Sequence, residues 1–131
     1  AIGDTSPQAK QLTPLANFFI GTSQMELLKK EVAKITGDKT VKDPVKKTAD
    51  VAKKYKDIET FLKKAIELHP GLEPAYMNLG NYYYYCNEVP MAVATYNTLI
   101  QKFPQSPDLK GYKDFLEKIQ NPQKGKKGKK K

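Results

Sequence analysis

Residues 73–104 read EPAYMNLGNYYYYCNEVPMAVATYNTLIQKFP, and this stretch decides the fold. Pro74 and Pro90 each open an apolar run, a place where proline is tolerated because the first turn of a helix has no use for its missing N–H. In the first run Tyr76, Leu79, Gly80 and Tyr83 recur at i, i+3, i+4 and i+7, and in the second Ala92, Tyr96, Leu99, Ile100 and Phe103 keep a similar rhythm. That period belongs to one buried face of a helix. Asn87 lies between the runs and can adopt the left-handed backbone of a tight turn. Pro104 prevents the second helix from continuing. The spacing therefore predicts two antiparallel helices, about 74–86 and 90–102. No part of the chain alternates with period two for long enough to make a strand.

Working upstream, Ile58, Phe61, Leu62, Ala65 and Ile66 make another helical stripe, which ends at His69 and Pro70. Pro70 and Pro104 are 34 residues apart, and both follow helices of similar apolar spacing. Tyr76, Leu79, Gly80, Tyr83, Ala92, Tyr96 and Pro104 stand where a helical-hairpin repeat wants aromatic, small and helix-stopping residues. On these positions the segment 73–104 resembles the tetratricopeptide-repeat (TPR) family, with a partial match over 58–70. The resemblance implies stacked hairpins in which the first helix of each pair lines a protein-binding groove. The matching positions here are Met77, Asn81, Tyr84 and Tyr85; in so short a chain the same side chains could instead bury against the N-terminal helices. The match has departures. Lys42 and Val45 occupy places where an aromatic and a leucine are expected, Asn87 stands at the turn glycine, and Leu99 replaces a small residue, which should splay the following helix. Two repeats at most fit between residues 45 and 120, so either the N-terminal helices or a partner must close the core.

The remaining elements complete an all-α reading of about six to seven helices. Thr13 and Pro14 start a short first helix that ends near Gly21. Ser23 and Glu26 form a capping box for a second helix, which carries Leu28, Val32 and Ile35 and stops at Gly37. Asp43 and Pro44 open a third helix with Val45, Ala49 and Ala52 on its face. After Ser106 and Pro107 a last helix shows Leu109, Tyr112, Leu116 and Ile119 on one side. Residues 1–12 read as an extended arm, 13–120 as one helical domain and 121–131 as a lysine-rich tail.

Composition limits the function classes. With 39% apolar and 28% charged residues the central region should fold, and 131 residues leave room for one modest core. The net charge of +9 is uneven, because Lys124, Lys126, Lys127, Lys129, Lys130 and Lys131 crowd the end of a nearly balanced body. Every basic residue other than the single histidine is lysine. Lysine attracts acidic surfaces as a point charge but lacks the planar fork that reads guanine or phosphate bidentately. The tail is thus expected to contact an acidic surface, protein ahead of nucleic acid. Cys86 has no second cysteine for a disulfide, and His69 has no companion ligand at metal spacing. No pair of titratable groups suggests catalysis, so neither an enzyme nor a cofactor is expected. No apolar run is long enough to span a bilayer, which leaves peripheral membrane association open. The start at Ala1, without a charged and apolar leader, fits cleavage of an organellar targeting peptide slightly ahead of simple Met removal before a small residue. The chain is therefore expected to be an interaction subunit of a larger assembly. A plastid photosystem on the thylakoid is one home that would suit it; the alternative is a ribosomal or ribonucleoprotein component holding phosphates with its lysines.

Overall fold

The computed structural model describes residues 13–121, and these form six α-helices with no strand among them. They are α1 (Pro14–Gly37), α2 (Pro44–Ala52), α3 (Lys56–Leu68), α4 (Glu73–Tyr85), α5 (Val89–Lys102) and α6 (Leu109–Gln120). The arm at 1–12 and the tail lysines Lys124, Lys126, Lys127, Lys129, Lys130 and Lys131 lie outside the described residues.

Two of the expected helix starts are built as their residues dictate. Thr13 Oγ1 accepts from the Ala16 amide at 3.0 Å with Pro14 in the first turn, and Asp43 Oδ1 accepts from the Lys46 amide at 3.1 Å ahead of α2. Each cap satisfies an amide that the helix itself cannot.

The break expected at Gly21 does not exist. Residues 14–37 are a single helix of 24 residues, so Ser23 and Glu26 lie in mid-helix and make no capping box. Gly21 is there for contact: a β-carbon at this position would lie 2.8 Å from Leu62 Cδ2 and 2.9 Å from its Cγ. The glycine lets α1 and α3 approach closely, and Asn17, Gly21, Met25, Leu28 and Ile35 form the buried face of α1. The neighbouring Thr22 hydroxyl folds back to donate to the Phe18 carbonyl at 2.9 Å, which keeps it compatible with the helix.

This contact repeats in the hairpin. At Gly80 a β-carbon would meet Tyr96 Cδ1 and Cε1 at 2.6 Å, and Leu62 and Tyr96 are 34 residues apart. The pairs α1 with α3 and α4 with α5 therefore use the same device, a glycine of the first helix against a large side chain at an equivalent place on the second. Helix α2 and its loops are inserted into the connection of the first pair, and α2 packs on α1 and α4. That insertion explains why residues 42–45 do not read as the first half of a repeat: the partner of α3 comes from residues 14–37. Helix α2 uses Thr48, Ala49 and Ala52 as its buried face, whereas Val45, expected on that face, is exposed.

Helix α1 thus closes the core. Met25 and Leu28 join Ala52, Ile58, Leu62, Ala75, Leu79 and Tyr83 in one buried cluster, and Tyr76, Tyr96, Leu99 and Tyr112 form a second beside it. Leu99 is fully buried there, between α4 and α6. The tyrosine hydroxyls each reach a different element. Tyr76 donates to the Pro70 carbonyl at 3.0 Å, Tyr82 to the Ala52 carbonyl at 3.2 Å and Tyr83 to Glu59 Oε2 at 2.7 Å. A helix with tyrosine on every side is accommodated because α4 is central, in contact with α1, α2, α3 and α5. Among the described residues no buried side-chain polar atom lacks a partner.

Asn87 takes φ 62°, the single positive value among the described non-glycine residues, and turns the chain from α4 into α5. Asn tolerates this region and β-branched residues do not. Asn87→Val is expected to destabilise by about 1–2 kcal/mol in urea unfolding, the cost of a left-handed backbone for such a residue, while Asn87→Gly should be neutral or stabilising.

Candidate docking groove

Helices α4 and α6 both lean on α5 and diverge from each other. The space between them is a groove of about 670 Å³. Its α4 wall carries Met77, Asn81, Tyr84 and Tyr85, the four side chains singled out in the sequence. Its α6 wall carries Gly111, Tyr112, Phe115 and Lys118, with Pro107 and Asp108 at the entrance to the helix and Tyr96 of α5 as the floor.

Aromatic packing holds these walls in place. Tyr84 meets Phe115 edge-on at 5.3 Å between ring centroids, Tyr96 lies 4.9 Å from Phe115, and Tyr96 meets Tyr112 edge-on at 6.1 Å. Such offset and edge-on pairs add to simple burial because ring edge and ring face carry opposite partial charge. Tyr84 remains more than a third exposed, at 38%, so it is offered to solvent as well as packed. Tyr85 is half-buried against the main core, and this burial raises its phenol pKa. Tyr84 thus lines the groove, and Tyr85 lines it while packing inward.

Polar groups fix the mouth. Glu73 Oε2 accepts from both the Tyr112 hydroxyl and Ser106 Oγ, each at 2.5 Å, and so ties the start of α4 to α6 and the loop before it. Burial, with the Glu73 carboxylate next, pushes the Tyr112 phenol up to about 12. The Tyr96 hydroxyl donates to Asn81 Oδ1 at 2.6 Å, which anchors this groove-lining amide and leaves its NH₂ as a donor. Asp108 and Lys118 stand at opposite ends of α6, roughly 15 Å apart along its axis, so the groove has an acidic and a basic end. Burial raises the Tyr96 phenol pKa well above its ordinary range, so it serves as a neutral donor.

Of the residues read as repeat packing, Tyr76, Leu79, Gly80, Tyr83, Ala92 and Tyr96 are buried within the hairpin, and exposed Pro104 follows the end of α5. The α6 half of the groove was not legible in advance. Its one signal was Phe115, an aromatic at i+3 of the run Tyr112, Phe115, Leu116 and Ile119, half-buried at the edge of that face.

Elsewhere the chemistry is quiet. Cys86 is buried, and burial raises its thiol pKa. His69 is exposed at the end of α3. Among the described residues no three His, Cys, Asp or Glu side chains converge on a common point, and no helix there is long and apolar enough to cross a membrane. Comparisons with protein families, curated proteins and solved structures find no match for this chain.

Proposed function

We propose that this chain is a TPR-like docking subunit that holds a segment of a partner protein in the groove between α4 and α6. The observation that carries the reading is the groove itself, whose walls combine a rigid aromatic floor, an anchored amide donor and opposite charges at its two ends. Aromatic side chains supply contact area at low entropic cost, and an anchored amide suits a peptide carbonyl. The Gly80 crossing and the recurrence of a glycine contact in α1 and α3 support the family resemblance.

Gly111 provides the test. A β-carbon there meets nothing within 4 Å, so a side chain can be added at the groove wall without a clash at its first carbon. Gly111→Phe is expected to leave the melting midpoint unchanged or raised, since glycine is a poor helix residue, and to abolish recovery of the partner. Cross-linking mass spectrometry on the native assembly, with wild type and Gly111→Phe compared, checks this. Tight binding to RNA that falls steeply with salt, together with no protein recovered by either chain, would instead assign the chain to nucleic acid.

A further inference from the structure

Helix α1 has a second apolar face. Residues 13–25 contain no charged side chain, and the inner face alone does not use their hydrophobicity. Leu15, Phe19 and Leu27 lie at multiples of four residues on the side away from the core, and they are 52%, 57% and 49% exposed. A helix that is apolar on both sides covers the second one with something.

The same outer face turns basic toward its C-terminal end. Lys30 and Lys34 follow Leu27 at helical spacing and are exposed. Lys34 is also part of a second, shallow groove of about 680 Å³, where Lys42, Lys46, Lys47 and Lys54 gather around the end of α1 and the start of α2. The acids nearby are engaged locally: Glu26, on the same outer face, pairs with Lys29 at 3.7 Å, Asp38 accepts from Thr40, Asp43 caps the Lys46 amide, and Asp50 pairs with Lys46 at 3.1 Å. Lys30, Lys34, Lys42 and Lys54 make no ion pair among the described residues.

We infer that the outer face of α1 is a peripheral binding surface for an anionic lipid bilayer, with Leu15, Phe19 and Leu27 inserted among the acyl chains and the lysines around Lys34 on the headgroups. The inference concerns a different surface from the groove and goes beyond the docking reading. Charge and size select the occupant. Stable protein interfaces bury about 800 Å² on each partner, more than three half-exposed side chains offer, and a second copy would bring another +9 of like charge against this one. A bilayer requires no fixed complementary surface, and its acidic headgroups suit lysine, a point charge without directional demands.

Co-sedimentation of the full chain with vesicles tests the assignment. Wild type is expected to bind equimolar phosphatidylcholine and phosphatidylserine vesicles, to ignore pure phosphatidylcholine, and to be released by salt. Phe19→Ser with Leu27→Ser, and separately Lys30→Glu with Lys34→Glu, should each weaken binding about tenfold or more at unchanged helicity by circular dichroism, whereas Gly111→Phe should bind as wild type does. The inference is overturned if the chain does not bind, binds neutral vesicles equally well, or binds anionic vesicles independently of Phe19 and Leu27 through charge alone. A lipid-free dimer that the Phe19 and Leu27 variant converts to monomer would assign this face to a second copy and overturn it likewise.

Discussion

Replacing Gly80 by leucine is expected to lower the melting midpoint by about 10 °C, the consequence of a loss of about 1–3 kcal/mol on overpacking a close helix contact. Two effects oppose each other at this position, and their magnitudes decide the sign. Glycine inside a helix costs about 1 kcal/mol relative to alanine, so an unconstrained helical glycine is improved by almost any substitution. At Gly80 the first added carbon already meets the Tyr96 ring at 2.6 Å. That ring is poorly placed to yield: it is buried, its hydroxyl is held by Asn81, and Tyr112 and Phe115 pack on it. Even Gly80→Ala should therefore be destabilising. Gly111→Ala supplies the contrast, because open space surrounds it and only the propensity gain of about 0.5–1 kcal/mol remains. Thermal melts of the two alanine variants should move in opposite directions. If both rise, α4 and α5 do not cross at Gly80.

The hairpin was legible because its signals are local. Proline marks the starts, apolar period marks the inner faces, and Asn87 marks the turn, all within residues 73–104. The same local signals misled at Gly21, where a glycine followed by Ser23 and Glu26 looks like a stop and a new start. What overrides them is Leu62, on a different helix and far along the chain, against which α1 can pack closely only while position 21 has no side chain. Val45 was misplaced for a different reason. It shares the i, i+3, i+4, i+7 face of Thr48, Ala49 and Ala52 but stands in the first turn of α2, where it stays exposed. The groove was half legible: its α4 wall follows from the repeat positions, whereas its α6 wall depends on how far α6 diverges from α4 across α5, and no short-range pattern records that distance.

The packing of α1 on α3 can be tested by a double-mutant cycle at Gly21 and Leu62. Leu62→Ala alone removes a fully buried side chain and is expected to cost about 2–5 kcal/mol, transfer and cavity terms together. Gly21→Ala alone should also destabilise, despite its better helix propensity, because the added methyl falls 2.8 Å from Leu62 Cδ2 and 2.9 Å from Cγ. Its cost should be smaller than that of Gly80→Ala, since an aliphatic side chain gives way more readily than a hydrogen-bonded ring. In the double variant both problems ease at once: the truncated Leu62 no longer obstructs the methyl, and the methyl fills part of the space that the leucine leaves. The double variant should therefore be more stable than Leu62→Ala alone, with a coupling of about 1–3 kcal/mol between the sites. A chain in which Gly21 merely separated two helices would behave differently, because distant independent sites add within a few tenths of a kcal/mol. Urea unfolding of the four proteins distinguishes the cases, and simple additivity would refute the continuous, closely packed α1 on which both the closed core and the outer apolar face depend.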